Sequence, residues 1–361
     1  MKTINIIANY SSFYAGNFIP SLLHLAKDLD STYKVVFSFP KQAEERFWCQ
    51  KIKLDGFDVF FYSKHIIKDI RKINKKINAS LLYTHFLSNP IVKLLSPFSK
   101  KRKLLIHVHS DFSGGKQRFS FSKSLKKLIF EKLLRRDANY IYVSESLKNE
   151  DKHKHSFYVR NALANDRIIS APLDKNALKK CVNYKDDKIH FLVFGWSPFV
   201  KGIDVVVNAF NKLPGETKEK VQLLLVHNYN KKQEIQEYIN KHCSRPQFDL
   251  LLCEPVEDIF VLYQLNDVFI SSSRSEGFSY SILEALYCGL PVLASDIDGT
   301  AWSKKYGALT FSIENPDDLA SKVMQFLCKT KKLSEFNLSI LNDFSLAEWS
   351  SKISNIIQKN F

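Results

Sequence analysis

Short runs rich in β-branched and aromatic residues alternate with stretches of helical periodicity along the whole chain, and few architectures accept that alternation. Strands separated by helices pair in parallel through crossovers, so the pattern predicts parallel sheets clothed by helices, an α/β fold. In the first half, strands are expected near Ile4 to Ala8, Lys34 to Phe39, Asp58 to Tyr62, Leu81 to Thr84, Leu104 to Val108, Tyr140 to Val143 and Phe157 to Arg160. The rhythm restarts at Ile189 to Phe194 and continues through Val221 to Val226, Asp249 to Leu252, Val268 to Ser271 and Val292 to Ala294. Between the halves, Asn161 to Lys188 holds Pro172, several polar residues and no clear strand, and reads as a linker. The expectation is two Rossmann-like domains facing across a cleft, over residues 1–165 and 166–345.

A chain of 361 residues, 45% hydrophobic and 25% charged, suits two soluble domains. No apolar stretch approaches the roughly 20 residues that cross a bilayer, and the start, Met1-Lys2-Thr3-Ile4, runs into a strand without a signal peptide, so the expected location is the cytoplasm. Six scattered cysteines without a C-x-x-C pair indicate neither a disulfide framework nor a zinc site. Charge is more informative. Residues 1–165 carry 30 basic against 13 acidic side chains, and the remainder 23 against 24. A basic first domain beside a neutral second one implies a polyanionic partner for the first: anionic lipid, a phosphate-bearing acceptor or nucleic acid. Nucleic acid ranks last, because no helix-turn-helix, zinc-finger or RNA-binding signature is present. The segment Phe121 to Arg136 gathers Leu125, Leu128, Ile129 and Leu133 on one side and Lys123, Lys126, Lys127, Lys132 and Arg135 largely on the other. Such a helix suits an anionic membrane surface, although covering a sheet with a wet outer face demands the same pattern. Clusters at Lys72 to Lys76 and Lys100 to Lys103 add to the basic surface.

The chemistry concentrates in Ser275 to Asp296, SEGFSYSILEALYCGLPVLASD. Glu276-Gly277-Phe278 has the character of a tight loop, Ser279 to Ser281 can cap a helix, and Gly289-Leu290-Pro291 ends that helix before the next strand. A loop opening a helix after a strand sets backbone N–H groups and a positive dipole end against phosphates, with Glu276 and Glu284 placed to hold hydroxyls. In the second half, Phe194-Gly195-Trp196 through Lys201-Gly202-Ile203-Asp204 ends one strand and begins a helix, aiming Lys201 beyond the strand's carboxyl end. The strand Leu104 to Val108 turns polar at His109-Ser110-Asp111, and period two puts His107 and His109 on one face. No carboxylate or cysteine accompanies that pair, so a metal is not indicated. His85 ends the preceding strand and is a lesser candidate, and Gly16 lies in the first strand-to-helix loop, where an ordinary turn also calls for glycine.

The ordered block Ser271-Ser272-Ser273, Glu276, Glu284-Ala285-Leu286 and Cys288-Gly289-Leu290-Pro291-Val292 resembles the E-x7-E signature of retaining nucleotide-sugar glycosyltransferases of the GT-B fold, family 4 or glycosyl transferases group 1. Lys201-Gly202 is similar to the family's G-R-x-x-x-x-K-G segment, in which arginine and lysine clamp the donor diphosphate, but Trp196 occupies the arginine position. Arg274 and Arg160 are the candidate replacements for that cation. The resemblance implies a sugar-contacting His109, a ribose-binding Glu284, and a Glu276 that holds hexose hydroxyls. It further implies phosphate contacts from Lys201 and the N–H groups of Gly277, Phe278, Ser279 and Tyr280, with Gly16 and Trp196 bordering the donor. Family members also send the last helix back to the first domain, here residues 346–361, and need no metal or other cofactor for chemistry.

The resulting expectation is a retaining transferase that moves a sugar from a nucleotide-sugar, a UDP-sugar first, to a lipid-linked saccharide acceptor in capsule, exopolysaccharide or O-antigen-type synthesis at the inner face of a bacterial membrane. A nucleotide-sugar epimerase, a soluble-acceptor transferase of the same fold and a catalytically inactive partner subunit are the alternatives. The sequence carries no signal for an oligomeric state.

Overall fold

The computed structural model describes residues 1–87, 91, 103–109, 138–149, 155–166, 169, 174–328 and 338–361. The chain divides into two units, residues 1–168 with 344–361, and residues 169–343.

In the first unit, β1 (Lys2–Ala8), β2 (Tyr33–Pro40), β3 (Asp58–Tyr62), β4 (Ala79–His85), β5 (Lys103–Val108), β6 (Ala138–Tyr142) and β7 (Ser156–Tyr158) form a parallel sheet in the order β3-β2-β1-β4-β5-β6-β7. Its central strands are apolar without alternation because helices cover both faces; Ile4, Ile6, Ile7, Leu81, Leu82, Leu105 and Ile106 are all buried. One face packs against the Phe18–Leu29 helix, which pairs with the last helix, Leu346–Asn360. Trp349, Ile353 and Ile357 recur at helical spacing and enter the same core as Ile19, Leu22 and Leu25. Ser345 caps this last helix by accepting a hydrogen bond from the Glu348 N–H, and Ser350 donates one to Asp28.

In the second unit, β8 (Ile189–Phe194), β9 (Val221–Val226), β10 (Asp249–Cys253), β11 (Val268–Ser271), β12 (Val292–Ser295) and β13 (Leu309–Phe311) form a parallel sheet in the order β10-β9-β8-β11-β12-β13. Three-residue β13 escaped the sequence reading, since a run that short has no period to recognise.

Part of the stretch read as a linker is structured. Ala162, Leu163 and Ala164 are buried, and Asn17 brackets them, donating to the Ala162 carbonyl at 2.7 Å and accepting from the Ala164 N–H at 2.6 Å. Lys175–Val182 is a helix, capped by Asp174 accepting from the Asn176 N–H at 2.8 Å and ended by Asn183 in the left-handed region. The amphipathic segment Phe121 to Arg136 and residues 100–102 lie outside the described residues. Among the described residues, no helix is long and apolar enough to cross a membrane.

Ile353, fully buried, tests how far the first unit depends on the last helix. Ile353→Ala is expected to cost about 2–5 kcal/mol, the range for a buried large-to-small change, read as a lower urea midpoint. A midpoint equal to the parent's would show that the helix adds nothing to that core.

Candidate functional site

Both sheets share the doubly wound order in which successive crossovers run outward from the middle, so the chain's direction of travel reverses between β1 and β4 and again between β8 and β11. At such a switch point the loops leaving the two strands part, and a crevice opens at their carboxyl ends.

In the second unit those loops are residues 195–202 after β8 and 272–279 after β11. Lys201 on the first forms an ion pair with Glu276 on the second, and both side chains keep less than a fifth of their surface exposed. Ser273 donates to the same carboxylate oxygen, Glu276 Oε1, at 2.8 Å. The loops are bound face to face: Ser272 Oγ donates to the Lys201 carbonyl at 2.7 Å, and the Arg274 N–H donates to the Val200 carbonyl at 2.7 Å. Two glycines permit this approach. A Cβ on Gly202, whose φ is +61°, would stand 2.1 Å from the Ser272 carbonyl oxygen, and one on Gly299 would stand 2.1 Å from that of Glu276. Neither position has space for a side chain.

The helix Tyr280–Tyr287 starts directly after the second loop. Ser279 stands at its N-cap, but the hydroxyl lies 3.1 Å from Ser281 Oγ and makes no cap bond, which corrects the serine cap expected from sequence. The helix's positive end is thus without a side-chain cap, next to Gly277 and Phe278. Phe278 is buried in a parallel stack on Trp302, ring centres 4.9 Å apart. Glu284, one turn into the helix and buried, accepts from the Tyr263 hydroxyl at 3.0 Å. Trp196 is half-buried and stacks on Phe194 at 4.6 Å.

Arg274 does not supply the missing cation. Its guanidinium makes a two-pronged contact with Asp204, at 2.9 and 2.7 Å, while also bonding Glu314 and the Phe199 carbonyl and lying over the Phe199 ring. Burial pushes the Asp204 carboxyl upward, but Arg274 and the Tyr238 hydroxyl outweigh it and hold it below the usual carboxylate range. A guanidinium bound on three sides is a structural clamp on the 199–204 loop. Arg160, in the first unit, lies over the Phe344 ring at 4.5 Å.

In the first unit, Gly16 (φ +57°) sits in the loop after β1. Across the switch point, parallel register sets His85, the last residue of β4, beside His107 of β5. His109 follows two residues later on the same face. The three imidazoles meet: His85 Nδ1 lies 3.0 Å from His109 Nε2, and the His107 and His109 rings stack in near-parallel planes with centres 4.4 Å apart. His107 Nδ1 is bonded to the Tyr83 hydroxyl at 2.7 Å. Phe86 stacks on His109, and Phe18 closes the far side. Burial pushes His109 down to about 3, although one edge reaches solvent. Burial also lowers His85 and His107 well below the ordinary histidine value, with charge on the neighbouring imidazoles adding to the effect.

The structure therefore brings Lys201, Glu276, Gly277, Phe278, Ser279 and Tyr280 to one crevice edge in the second unit, with Trp196 at the start of the first loop and Glu284 a turn deeper. His109 and Gly16 belong to the first unit. Sequence reading missed Ser273, Gly299 and Tyr263 as supports. The serine run had been read only as pattern, and Gly299 and Tyr263 act through tertiary contacts that no local signal marks.

Residues 174–337 match the family model described as glycosyl transferases group 1. That match lies within the second unit, which therefore resembles a group 1 glycosyl transferase domain. The chain is 25% identical over 267 residues to an uncharacterized glycosyltransferase of Methanocaldococcus jannaschii, covering 68% of this chain and 64% of that protein. It is 29% identical over 164 residues to the O-antigen biosynthesis glycosyltransferase WclY of Escherichia coli, covering 45% and 44%. Over 72 residues, 19% of each chain, it is 39% identical to the N,N'-diacetylbacillosaminyl-diphospho-undecaprenol alpha-1,3-N-acetylgalactosaminyltransferase of Campylobacter jejuni. The matched regions thus span between 19% and 64% of these relatives' lengths. Among solved structures, Anabaena HepE in complex with UDP and glucose superposes with a TM-score of 0.75 at 15% identity, covering 98% of this chain and 99% of HepE. The architecture is the GT-B fold.

Two outcomes test this geometry. Gly202→Ala and Gly299→Ala are each expected to lower stability by more than about 1 kcal/mol, whereas Gly215→Ala, with open space at its Cβ, changes it by less; chemical denaturation reads the difference. The buried imidazoles, held neutral in the fold and titrating near 6.5 when unfolded, make the unfolded chain the stronger proton binder below 6.5. The melting temperature should fall as pH drops from 6.5 toward about 3, and less steeply in His107→Gln; identical pH profiles for the two proteins would exclude His107 as a contributor.

Proposed function

We propose that this protein transfers a sugar, with retention of anomeric configuration, from a UDP-sugar to a lipid-linked saccharide during synthesis of a surface polysaccharide. The observation that carries the proposal is the Lys201–Glu276 pair on the two switch-point loops, inside the region matched by the family model and beside an uncapped helix start. The ammonium and the positive helix end stabilise the diphosphate as the glycosyl C1–O bond breaks, and the carboxylate, relieved of its partner, accepts sugar hydroxyls. The acceptor oxygen bonds to C1 on the face the diphosphate leaves, and its proton passes to the departing phosphate oxygen. Glu284, held by Tyr263, serves the ribose, and His109 the sugar near C1.

UDP is favoured because HepE binds it, and a lipid-linked acceptor because the Campylobacter relative is named for a diphospho-undecaprenol substrate. The O-antigen role of WclY supports the surface-polysaccharide context. The basic excess of the first 165 residues supports an anionic membrane surface. On its described part, edge strand β3 presents Phe60 and Phe61 beneath lysine ammonium groups, Lys76 over the former and Lys41 and Lys53 over the latter.

With Trp196 in the arginine position and Arg274 bound elsewhere, Lys201 becomes the cation on which the leaving group depends. Lys201→Ala is expected to lower turnover about 10²–10³-fold with an unchanged melting curve, and Glu276→Gln to lower it similarly, both assayed by UDP release from a panel of UDP-sugars. Turnover within a few-fold of the parent in both variants would reject this site. Separately, the purified protein should float with vesicles containing phosphatidylglycerol and not with phosphatidylcholine alone, and failure to float with the phosphatidylglycerol vesicles would favour a soluble acceptor.

A further inference from the structure

We propose that His85, His107 and His109 bind one late first-row transition-metal ion, Zn2+ the first candidate, with His109 as the ligand that faces solvent. The parallel register of β4 and β5 and the two-residue period along β5 bring three imidazoles to one strand end, with one nitrogen from each within 4.8 Å of the others. Two are almost wholly buried, His85 at 1% and His107 at 3% exposure, and among the described residues the Nε2 atom of each has no hydrogen-bond partner. Buried ring nitrogens without partners cost free energy, and their persistence calls for a ligand or a compensating function. His107 has the arrangement of a metal ligand: one ring nitrogen is fixed by the Tyr83 hydroxyl, which orients the ring and leaves the other to donate its lone pair.

The donor set decides the class of ion. Among the described residues the donor set is three neutral imidazoles with no carboxylate, which suits Zn2+, Co2+, Ni2+ or Cu2+ and offers little to Mg2+ or Ca2+, which take oxygen ligands. Zn–N bonds of about 2.0–2.1 Å put tetrahedral ligand nitrogens roughly 3.4 Å apart, so the rings close on the ion by rotating about their Cβ–Cγ bonds. His109 is the half-buried member of the three. Resting on the transferase reading, one consequence follows: an ion held here takes the His109 nitrogen away from the sugar, so occupancy inhibits transfer.

Metal-free protein titrated with Co2+ tests the site without any assay of activity. The expected result is a visible d–d absorption that saturates at one equivalent, is displaced by Zn2+ and is unaffected by Mg2+. His107→Gln and His109→Gln should each weaken the Co2+ complex by about 100-fold or more, while the Cys181→Ser, Cys328→Ser double variant, which removes the exposed thiols, should bind as the parent does. Absence of a saturable band in the parent overturns the proposal, as does a band that persists in both histidine variants or vanishes with the cysteines. His109→Gln sits at the solvent edge, so its result stands even if His107→Gln fails to fold. If Co2+ binds at one equivalent but Zn2+ leaves UDP release unchanged, the metal site stands and the role given to His109 falls.

Discussion

A parallel doubly wound sheet has one place where its loops must part, and in the second unit of this chain the Lys201–Glu276 pair lies there. Once β8 starts the second sheet from its middle and the crossovers build outward first through β9 and β10, then through β11 to β13, the loops after β8 and β11 face each other with no helix between them. What fills that gap is set by side-chain size as much as by charge. Backbone meets backbone at Gly202 against Ser272 and at Gly299 against Glu276, so the carboxylate is carried on a loop gripped from both sides. A floppier loop would lose the positional precision that electrostatic catalysis requires.

The two ion pairs beside this gap have different work. Arg274 meets Asp204 in a planar two-pronged contact, with two further acceptors and an aromatic face on the same guanidinium. Leaving that set would strand Asp204, so it behaves as a rivet. Lys201 meets Glu276 with a single flexible ammonium, and a diphosphate can outbid a carboxylate for a point charge far more readily than for a fork. On the proposed mechanism this difference separates the cation that fastens the loop from the one that meets the substrate.

Much of this was legible in sequence because parallel strands advertise themselves. Ile4-Asn5-Ile6-Ile7, apolar but for Asn5, and Leu223-Leu224-Leu225 are short runs set between helical patterns, and the fold class follows from them. Glu276, Lys201 and His109 could be singled out in sequence because strand ends and loop glycines are local features. What stayed hidden depends on pairing over distance. Arg274 looked available because Asp204, 70 residues earlier, gave no local sign of claiming it. His85 looked minor because its meeting with His109 exists only once β4 and β5 lie in register. Ser279 has the residue type of a cap, yet its hydroxyl pairs with Ser281 instead of accepting from the helix's free N–H groups, a choice between nearby partners that sequence does not rank.

The charge balance at the crevice edge carries a last consequence. Lys201 and Glu276 sum to zero, Arg274 is outnumbered by Asp204 and Glu314, and the positive element left among these groups is the start of the Tyr280–Tyr287 helix, worth about half a charge. Such an edge offsets only part of a diphosphate's charge, and the remainder of the binding energy has to come from other contacts. Flat aromatic surface is what the neighbourhood supplies: Trp196 stacked on Phe194, at the position where the resemblance leads one to expect arginine, and Phe278 stacked on Trp302, whose indole N–H donates to the Gly299 carbonyl at 3.0 Å. Stacking on a sugar or base face is insensitive to salt, whereas a two-cation clamp is not. On the proposed reading, the replacement at position 196 therefore moves donor recognition from charge toward shape.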